Sequence, residues 1–322
     1  MSEDIKSLFW GKEAFNGAKI REYSNREGIN HMDFEKQIFE YDTMFILKEF
    51  SNMDLFFKGG TCIQSLLPLN LQRFSVDLDF NIETESRTNK FVLEKFDELN
   101  EKLKEMDLLI SSIDSKYKNR SSKNLIYGKF YPMYFDKISG TITFARVFPS
   151  KVVARNLRIA YRKDLVNKEY LSGIFNHILV QINIKHKPPA LKWNMQDIRL
   201  KIYKYQEYKK ELQFKCLSVG DLFADKLIAF RNREKFKDLY DLGMLSVIIT
   251  DEDIESCRLK MKHILGEENR THEITKTIIK TIDVFIIKKK YSDYIHALPK
   301  EVSPLVVNRM FYTKLISVIE RI

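Results

Sequence analysis

The chain has 322 residues, 44% of them hydrophobic and 30% charged, so it can form one large domain or two ordinary ones. No apolar run approaches the roughly 20 residues of a membrane span, the first residues do not resemble a signal peptide, and the six histidines lack the spacing of zinc ligands. The formal net charge of +10 favours a polyanionic partner such as RNA. Three widely separated cysteines are typical of buried thiols in a reducing compartment, so we expect a cytoplasmic protein with no membrane partner.

Hydrophobic periodicity predicts an N-terminal part that mixes helices and strands. Apolar residues three or four positions apart indicate helices, whereas strict alternation over a few residues indicates strands. The predicted elements, in chain order, are helix 34–51 with Asp33 as its N-cap, strand 55–58, helix 62–67, strand 75–82, helix 90–110 and strands 125–135, 140–148 and 178–185. These elements indicate an α+β fold, with a mixed sheet and flanking helices.

Strand signals nearly vanish after the Pro188-Pro189 pair, which therefore marks the predicted domain boundary. We expect a first domain over residues 1–190 and a mainly helical second domain, a helical bundle, over residues 191–322. The predicted helix N-caps of the second domain are Ser218, which with Asp221 resembles a capping box, Thr250 and Thr271. The apolar stripe of the helix after Thr271 consists of Ile274, Ile278, Ile282, Phe285 and Ile286.

Two carboxylates, Asp77 and Asp79, lie one residue apart on a predicted strand. Because alternate residues of a strand share a face, both carboxylates are expected to point the same way, while Val76, Leu78 and Phe80 point into a core. Paired carboxylates suit a hard divalent cation, and Mg²⁺ held in this way usually also binds substrate phosphates. The pair therefore predicts a metal site.

A Gly59-Gly60-Thr61 turn precedes the carboxylate pair and opens a short predicted helix. Glycines let a backbone approach a phosphate closely, and the N-terminus of the next helix adds a favourable dipole. Gly-Gly alone usually marks only a turn, and an isolated Asp-x-Asp is a common short motif. The order of strand, Gly-Gly-Thr, short helix and paired carboxylates is more specific, and it predicts a metal-dependent nucleotide site.

The motif Lys58-Gly59-Gly60-Thr61, followed by Arg73-Phe74-Ser75-Val76-Asp77-Leu78-Asp79-Phe80, resembles the signature of the nucleotidyltransferase superfamily and of the AbiEii/AbiGii toxin family in particular. The segment Leu217–Arg231 and the element Lys237-Asp238-Leu239-Tyr240-Asp241-Leu242 are similar to a second motif of that family, with Lys237 where an arginine is usual. A weaker match covers residues 35–42. The resemblance spans about residues 33–245. It implies a nucleotidyltransferase-like mixed sheet with flanking helices, followed by a helical bundle.

The resemblance also implies a reaction in which Asp77 and Asp79 hold Mg²⁺ or Mn²⁺ and an NTP is the substrate. The expected catalytic residues are Asp77, Asp79, Lys226 and Asp241. The expected nucleotide-binding residues are Gly59, Gly60, Thr61, Arg73, Ser75 and Lys226. In this scheme the turn offers backbone N–H groups to the phosphates, and Lys226 pairs with phosphate charge.

Some of these residues also have a purely structural interpretation. Lys226 would then lie on a solvated helix face, and Arg73 would form a salt bridge instead of contacting phosphate or acceptor. Asp238 and Asp241 lie three residues apart on a predicted helix. They are candidates for orienting Lys226 or aiding catalysis, and Asp241 is equally a candidate for a structural partner in the second domain.

A third carboxylate is usual on a later strand of nucleotidyltransferases, but predicted strand 178–185 carries Asn183 at the best-matching position. Alternation predicts that Asn183 shares the face opposite the core with Gln181 and Lys185. An amide can position a water but cannot act as a general base. Three alternatives stay open: two carboxylates suffice, another acid serves, or catalysis is weakened.

Two stretches without acidic residues, Lys116–Lys123 and Arg146–Lys163, favour contact with a phosphate backbone, unless the surface is merely lysine-rich.

Two functional hypotheses follow. The first is a Mg-dependent nucleotidyltransferase that moves an NMP from an NTP to an acceptor hydroxyl. By resemblance, the acceptor is RNA such as the tRNA 3′ end, and the enzyme is the toxin of a toxin–antitoxin or phage-defence system with a cognate antitoxin. The second is a non-catalytic nucleotide- or RNA-binding protein on the same fold.

Overall fold

The computed structural model describes residues 9–10, 16–82, 91, 94–95, 98–99, 130–136, 141–150, 152, 175–183, 192–205, 210–266, 268–287, 298 and 309–322. The helices in these ranges are α1 (Gly17–Glu27), α2 (His31–Phe50), α3 (Gly59–Leu66), α4 (Val219–Arg233), α5 (Phe236–Ile248), α6 (Asp251–Leu265), α7 (Glu268–Ile287) and α8 (Arg309–Glu320). The strands are β1 (Leu55–Lys58), β2 (Leu78–Ile82), β3 (Phe130–Asp136), β4 (Thr141–Pro149), β5 (Phe175–Asn183), β6 (Trp193–Asp197) and β7 (Gln213–Leu217). A short 3₁₀ helix, Lys201–Tyr205, lies between β6 and β7 in the chain. These elements confirm the predicted α+β class.

The chain forms two compact units, and each is built from segments that are separate in the sequence. Unit 1 consists of residues 1–55, 76–186 and 202–212. Unit 2 consists of residues 56–75, 187–201 and 213–322. The predicted division into domains 1–190 and 191–322 stays a prediction, because compactness does not establish which segments fold independently. No helix among the described residues is long and apolar enough to cross a bilayer.

The sheet of unit 1 has the strand order β3-β4-β5-β2. Strand β4 pairs antiparallel with both β3 and β5, whereas β2 pairs in parallel with β5 and places Asp79 beside Gln181. Leu78 and Phe80 of β2 are fully buried, as are Val180 and Ile182 beside them on β5. The combination of parallel and antiparallel pairs confirms the predicted mixed sheet, and the buried side chains show which face of β2 packs into the core.

Helix α2 of unit 1 begins earlier than the sequence predicts. The side chain of Asn30 accepts a hydrogen bond from the backbone N–H of Met32 at 2.8 Å, so Asn30 is the N-cap and the predicted cap Asp33 is wrong. Asp33 lies instead in the first turn, where a carboxylate is favourable next to the positive end of the helix dipole. Phe34, Ile38 and Tyr41, which follow one another at helical spacing, are fully buried and attach α2 to the core.

Strands β1, β7 and β6 lie in that order in unit 2. Strand β1 pairs in parallel with β7, and β7 pairs antiparallel with β6. Strands β6 and β7 follow the Pro188-Pro189 pair, so the expectation that strand signals nearly vanish there is wrong. Phe214 and Cys216 alternate along β7 and are buried, which is the local pattern that stabilises this strand. Cys62, Cys216 and Cys257 are all buried thiols, as predicted.

Two of the three N-caps predicted for the helices of unit 2 are confirmed. Ser218 caps α4 by accepting from the N–H of Asp221 at 3.2 Å. Thr250 caps α6 through a reciprocal capping box with Asp253. Thr271 does not cap a helix, because α7 already begins at Glu268 and Thr271 lies within its first turns. The predicted stripe on α7 is confirmed for its described side chains, since Ile274, Ile278 and Ile282 are buried.

Several other boundaries differ from the prediction or fall outside the described residues. Strand β1 has the predicted bounds, whereas α3 starts at the glycines and not at Cys62. Strands β3 and β4 fall in the predicted ranges 125–135 and 140–148 with shifts of one residue at their ends, and residues 125–129 are not described. The bounds of predicted helix 90–110 also lie outside the described residues.

Candidate nucleotide and metal site

The predicted metal pair lies at the start of β2 in unit 1. Asp77 is exposed and directly precedes the strand, Asp79 is half-buried within it, and Leu78 and Phe80 between and after them are fully buried. The alternation that places both carboxylates on one face therefore holds over these four residues. The expectation that Val76 faces the core is wrong, because β2 starts only at Leu78 and Val76 is half-exposed.

A row of polar residues crosses the sheet beside this pair. Asp79 of β2 lies next to Gln181 of β5, which lies next to Thr143 of β4. The Gln181 amide nitrogen donates to the Thr143 hydroxyl at 3.4 Å. One pair further along, Asn81 lies next to Asn183. The burial pattern confirms the predicted face of Asn183, since Val180 and Ile182 are buried while Gln181 is exposed and Asn183 is half-buried.

The donor groups on this face fit a hard divalent cation. Carboxylate oxygens and amide oxygens are ligands that Mg²⁺ and Mn²⁺ accept, and Mg²⁺ usually takes only one or two carboxylates and completes its shell with water and phosphate. Within the described ranges, no group of three or more His, Cys, Asp or Glu side chains is placed to hold a metal ion. Asp77 and Asp79 are therefore a pair of carboxylates without a cluster of three such ligands among the described residues, which matches the one or two carboxylates that Mg²⁺ usually takes.

The Gly-Gly-Thr turn belongs to unit 2, and each of its glycines has a specific structural reason. Gly59 has φ = +75°, in the left-handed region that favours glycine. A Cβ atom on Gly60 would lie 2.6 Å from Nη2 of Arg73 and 2.9 Å from Oγ of Ser75, closer than real side chains allow. The hydroxyl of Thr61 donates to the hydroxyl of Ser75 at 3.0 Å. The fold thus brings Gly60, Thr61, Arg73 and Ser75 together.

A buried ion cluster in unit 2 joins three other predicted site residues. Arg73 donates to both carboxylate oxygens of Asp241, from Nε to Oδ1 and from Nη2 to Oδ2, each at 2.7 Å. Lys226 places its Nζ 2.8 Å from Oδ2 of Asp241 and 3.1 Å from Oδ1 of Asp238. The exposed fractions are only 5% for Arg73, 6% for Lys226 and 0% for Asp241. Lys226 is therefore not on a solvated helix face, and that alternative is wrong.

Two residues that the sequence did not single out complete the cluster. Arg233 donates to both oxygens of Asp238 at 2.6 Å, so each buried carboxylate has an arginine fork. Gln64 of α3 donates to Oδ1 of Asp241 at 3.0 Å and accepts from the backbone N–H of Arg73 at 2.7 Å. The sequence signal for Gln64 is a polar residue that, with Ser65, interrupts the mainly apolar stretch Cys62–Leu67, and Arg233 has no comparable local signal.

Electrostatics keeps these carboxylates ionised. Burial alone would raise the pKa of Asp241, but the charges and hydrogen bonds of Arg73 and Lys226 outweigh it and hold that pKa below its ordinary value. Burial likewise opposes ionisation of Asp238, but its hydrogen bond from Arg233 and the charge of Lys226 outweigh burial and lower the pKa. For Arg73, burial would lower the pKa, yet the charge of Asp241 and its hydrogen bond raise it. The structural salt bridge expected as one alternative for Arg73 is confirmed.

A family model described as "Nucleotidyl transferase AbiEii toxin, Type IV TA system" matches residues 44–307. The chain belongs to this family. The match includes the Gly-Gly-Thr turn, the carboxylate pair and the buried cluster, and it confirms the resemblance drawn from the sequence. The chain is thus a nucleotidyltransferase of a toxin–antitoxin family, which implies an NTP substrate and an antitoxin partner.

Solved structures similar to this AbiEii-family member include "MenT4, nucleotidyltransferase toxin Rv2826c from Mycobacterium tuberculosis H37Rv", with 17% identity, a TM-score of 0.47 and coverage of 79% of this chain and 72% of that one. "Crystal structure of JHP933 from Helicobacter pylori" has 16% identity and a TM-score of 0.45, covering 88% of this chain and 90% of that one. Comparison with curated proteins gives no match.

Most of the two basic stretches predicted to contact RNA lies outside the described residues. Residues 116–123 lie outside the described residues, and so do residues 151 and 153–163. Arg146 lies on β4, beside Ile178 of β5. The proposed RNA contact of these stretches therefore stays a prediction.

Proposed function

We propose that this AbiEii-family member transfers an NMP unit from an NTP to a hydroxyl of RNA, such as the tRNA 3′ end, in the presence of Mg²⁺ or Mn²⁺. The acceptor oxygen attacks the α-phosphorus, a new P–O bond forms, and the bond to the β-phosphate breaks so that pyrophosphate leaves with the electron pair. The hydroxyl proton is released to solvent. The observation that carries the proposal is the carboxylate pair on one face of β2 in a chain of nucleotidyltransferase family.

Asp77 and Asp79 are the residues that we propose to hold the divalent cation. Such a cation neutralises phosphate charge and orients the triphosphate, which is the main catalytic requirement of phosphoryl and nucleotidyl transfer. Asp79 is half-buried and fixed by a strand with buried neighbours on both sides, so its orientation is well defined. Asp77 is exposed at the strand entrance and remains accessible to a metal–nucleotide complex.

Gly59, Gly60 and Thr61 are the residues that we propose to bind the β- and γ-phosphates. They form the N-terminus of α3, where backbone N–H groups without a helical partner suit an anion. The Thr61 and Ser75 hydroxyls already lie within 3.0 Å of each other, so they are a second donor group near these N–H groups. A contact of Ser75 or Arg73 with the nucleotide is part of the same proposal.

Lys226 and Asp241 have a positioning and charge-balancing role in this proposal. The cluster around them holds three cationic side chains, Arg73, Lys226 and Arg233, against two carboxylates, so the formal sum of these five side chains is +1. This cluster contacts α3 through Gln64, and its net positive charge favours binding of a triphosphate at the N-terminus of that helix. Asp241 orients Lys226 through the 2.8 Å contact.

The activity is tested by incubating the protein with labelled NTPs, Mg²⁺ and total RNA. Transfer of label to RNA that is lost with EDTA and in the Asp79→Asn variant is the expected result. The control is Asp33→Asn, which changes an exposed carboxylate in the first turn of α2. No label in RNA from wild-type protein, with all four NTPs, would contradict the proposal.

A second candidate function is a non-catalytic nucleotide- or RNA-binding protein. Asn183 supports it, because this amide occupies the polar face beside β2 where a catalytic acid is expected in the family. Binding of NTP or RNA without transfer would favour this function. An antitoxin partner, a cytoplasmic location and use of RNA by the basic stretches are further parts of the proposal.

A further inference from the structure

Asn81 is a buried polar residue on the strand of the carboxylate pair. It follows Asp79 by two positions on β2 and therefore lies on the same face, while Phe80 and Ile82 lie on the opposite face. Its exposed fraction is 0%. Neither the oxygen nor the nitrogen of its side-chain amide has a hydrogen-bond partner among the described residues. Both halves of the amide are thus available to a bound group.

An arrangement of this kind is costly for the folded protein alone. A buried amide without partners has lost its hydrogen bonds to water and gained none in return, so it destabilises the fold relative to an apolar side chain of similar shape. Neighbours on the other face, such as Phe80 and Ile82, show that β2 accepts large apolar residues. Buried polar groups in native proteins generally have a partner, which points to a ligand or water that binds this amide.

The chemistry of the partner follows from the amide and from its position. The unsatisfied atoms are one acceptor and one donor group, so the partner must both donate and accept hydrogen bonds, as water does. Two strand positions separate the Cα atoms of Asp79 and Asn81 by about 7 Å. One intervening water spans this separation between a carboxylate-bound cation and the amide. Second-shell contacts of this kind orient metal sites and tune their affinity.

We propose that Asn81 is a positioning residue of the metal site, whose amide binds a water molecule of the cation held by Asp77 and Asp79. This inference rests on the proposed function. The amide cannot take up a proton, so Asn81 orients the coordinated water and does not act as a base. Asn81 in this way provides a neutral polar anchor two positions after Asp79 on the same strand face.

The test measures binding of Mn²⁺ alone, without NTP or RNA, by electron paramagnetic resonance of the free ion, together with thermal unfolding in EDTA. Asn81→Leu is expected to weaken Mn²⁺ binding about 10-fold, within the 10–100-fold range of second-shell substitutions. The same variant is expected to unfold in EDTA at a temperature equal to or above that of the wild type, because an unsatisfied amide is removed. Asn81→Ala, which fits without overpacking, provides the same Kd measurement if the leucine variant does not fold.

Ser150→Ala is the matched control. Ser150 is also fully buried, its hydroxyl also has no partner among the described residues, and it belongs to unit 1. Ser150 directly follows the C-terminal end of β4. The N-terminal end of that strand, at Thr141, is the end that lies in one cross-strand row with Asn183 and Asn81. Removing its hydroxyl is therefore expected to leave the Mn²⁺ Kd unchanged.

The possible outcomes separate this inference from the proposed function. If Asp79→Asn abolishes Mn²⁺ binding while both Asn81 variants keep the wild-type Kd, the amide holds only a structural water and the inference is wrong. If wild type and Asp79→Asn bind Mn²⁺ equally, the proposed metal site itself is wrong. Loss of affinity in both Asp79→Asn and the Asn81 variants, with Ser150→Ala unchanged, supports the inference.

Discussion

The carboxylates of unit 1 and unit 2 have opposite environments. Asp77 and Asp79 lie on the accessible face of a strand, one exposed and the other half-buried. Asp238 and Asp241 are fully buried, and arginine forks and Lys226 bind them within the protein. The exposure of Asp77 makes the first pair accessible from solvent, whereas the second pair is enclosed and contributes to stability through its ion pairs. Sequence motifs alone do not make this distinction, since both pairs belong to family motifs.

The largest stability effect is expected for Asp241→Asn. This change leaves the buried guanidinium of Arg73 without its charge partner, and breaking a buried pair in this way costs about 3–5 kcal/mol. Urea unfolding at pH 7 measures the loss. Asp197→Asn, which removes an exposed partner of Arg199, is expected to cost less than about 1 kcal/mol. Equal losses in both variants would remove the contrast between buried and exposed carboxylates.

Lys226→Ala is expected to have a smaller effect on stability. Both carboxylates keep an arginine partner, so no buried carboxylate is left unpaired and the expected loss is about 1.5–3 kcal/mol, the range for one hydrogen bond to a charged group. NTP affinity, measured on folded protein, is expected to fall because the local positive charge falls. Lys192→Ala, whose exposed amine pairs only loosely with Glu252 at 3.4 Å, serves as control and should change neither quantity. Unchanged NTP affinity and turnover in Lys226→Ala would assign this lysine to stability alone.

Gly60→Ala tests the packing of the turn against the cluster. The new methyl group would overlap Nη2 of Arg73 and Oγ of Ser75, and overpacking of this kind costs about 1–3 kcal/mol. Adding Ser75→Ala relieves one of the two contacts, so the double variant should lose less stability than the sum of the single variants. Strict additivity in urea unfolding would show that the turn moves freely away from both side chains.

The smallest expected effect is a dependence of stability on acid pH. Because the folded pKa values of Asp238 and Asp241 are lowered, their contribution to stability is complete above the ordinary aspartate pKa of about 3.9. It is lost as the pH falls further, through the folded values. The free energy of unfolding should thus fall more steeply below about pH 4 in wild type than in Asp241→Asn. Parallel curves for the two proteins would contradict this assignment.

Local patterns in the sequence predicted the parts of the fold that local chemistry determines. Strand β1, the alternation from Asp77 to Phe80 and the caps Ser218 and Thr250 all depend on neighbours within a few residues. The predicted start of α2 was wrong because Asn30 and Asp33 are both good N-cap residues. Only the structure shows that the side chain of Asn30 accepts the capping hydrogen bond. Helix α1 was not predicted, although Asn16 and Gly28 are its caps.

The long-range part of the candidate site was beyond local patterns. Arg73 and Asp241 are 168 residues apart, and no periodicity predicts their bidentate contact. The sequence named Asp238 and Asp241 as candidates for orienting Lys226, and both contact it, but the burial of Lys226 against them depends on how α4 packs on α5. The sequence did not single out Asn81, and the full burial of its side chain is seen only in the structure.

The most direct test compares Asp79→Asn with Asp241→Asn in one pair of measurements, transfer of labelled NTP to RNA and urea unfolding. Asp79→Asn is expected to lose Mg²⁺-dependent transfer while its free energy of unfolding changes by less than about 1 kcal/mol. Asp241→Asn is expected to lose about 3–5 kcal/mol of stability. Full transfer activity in folded Asp79→Asn would contradict the assignment of the open face of β2 as the metal site.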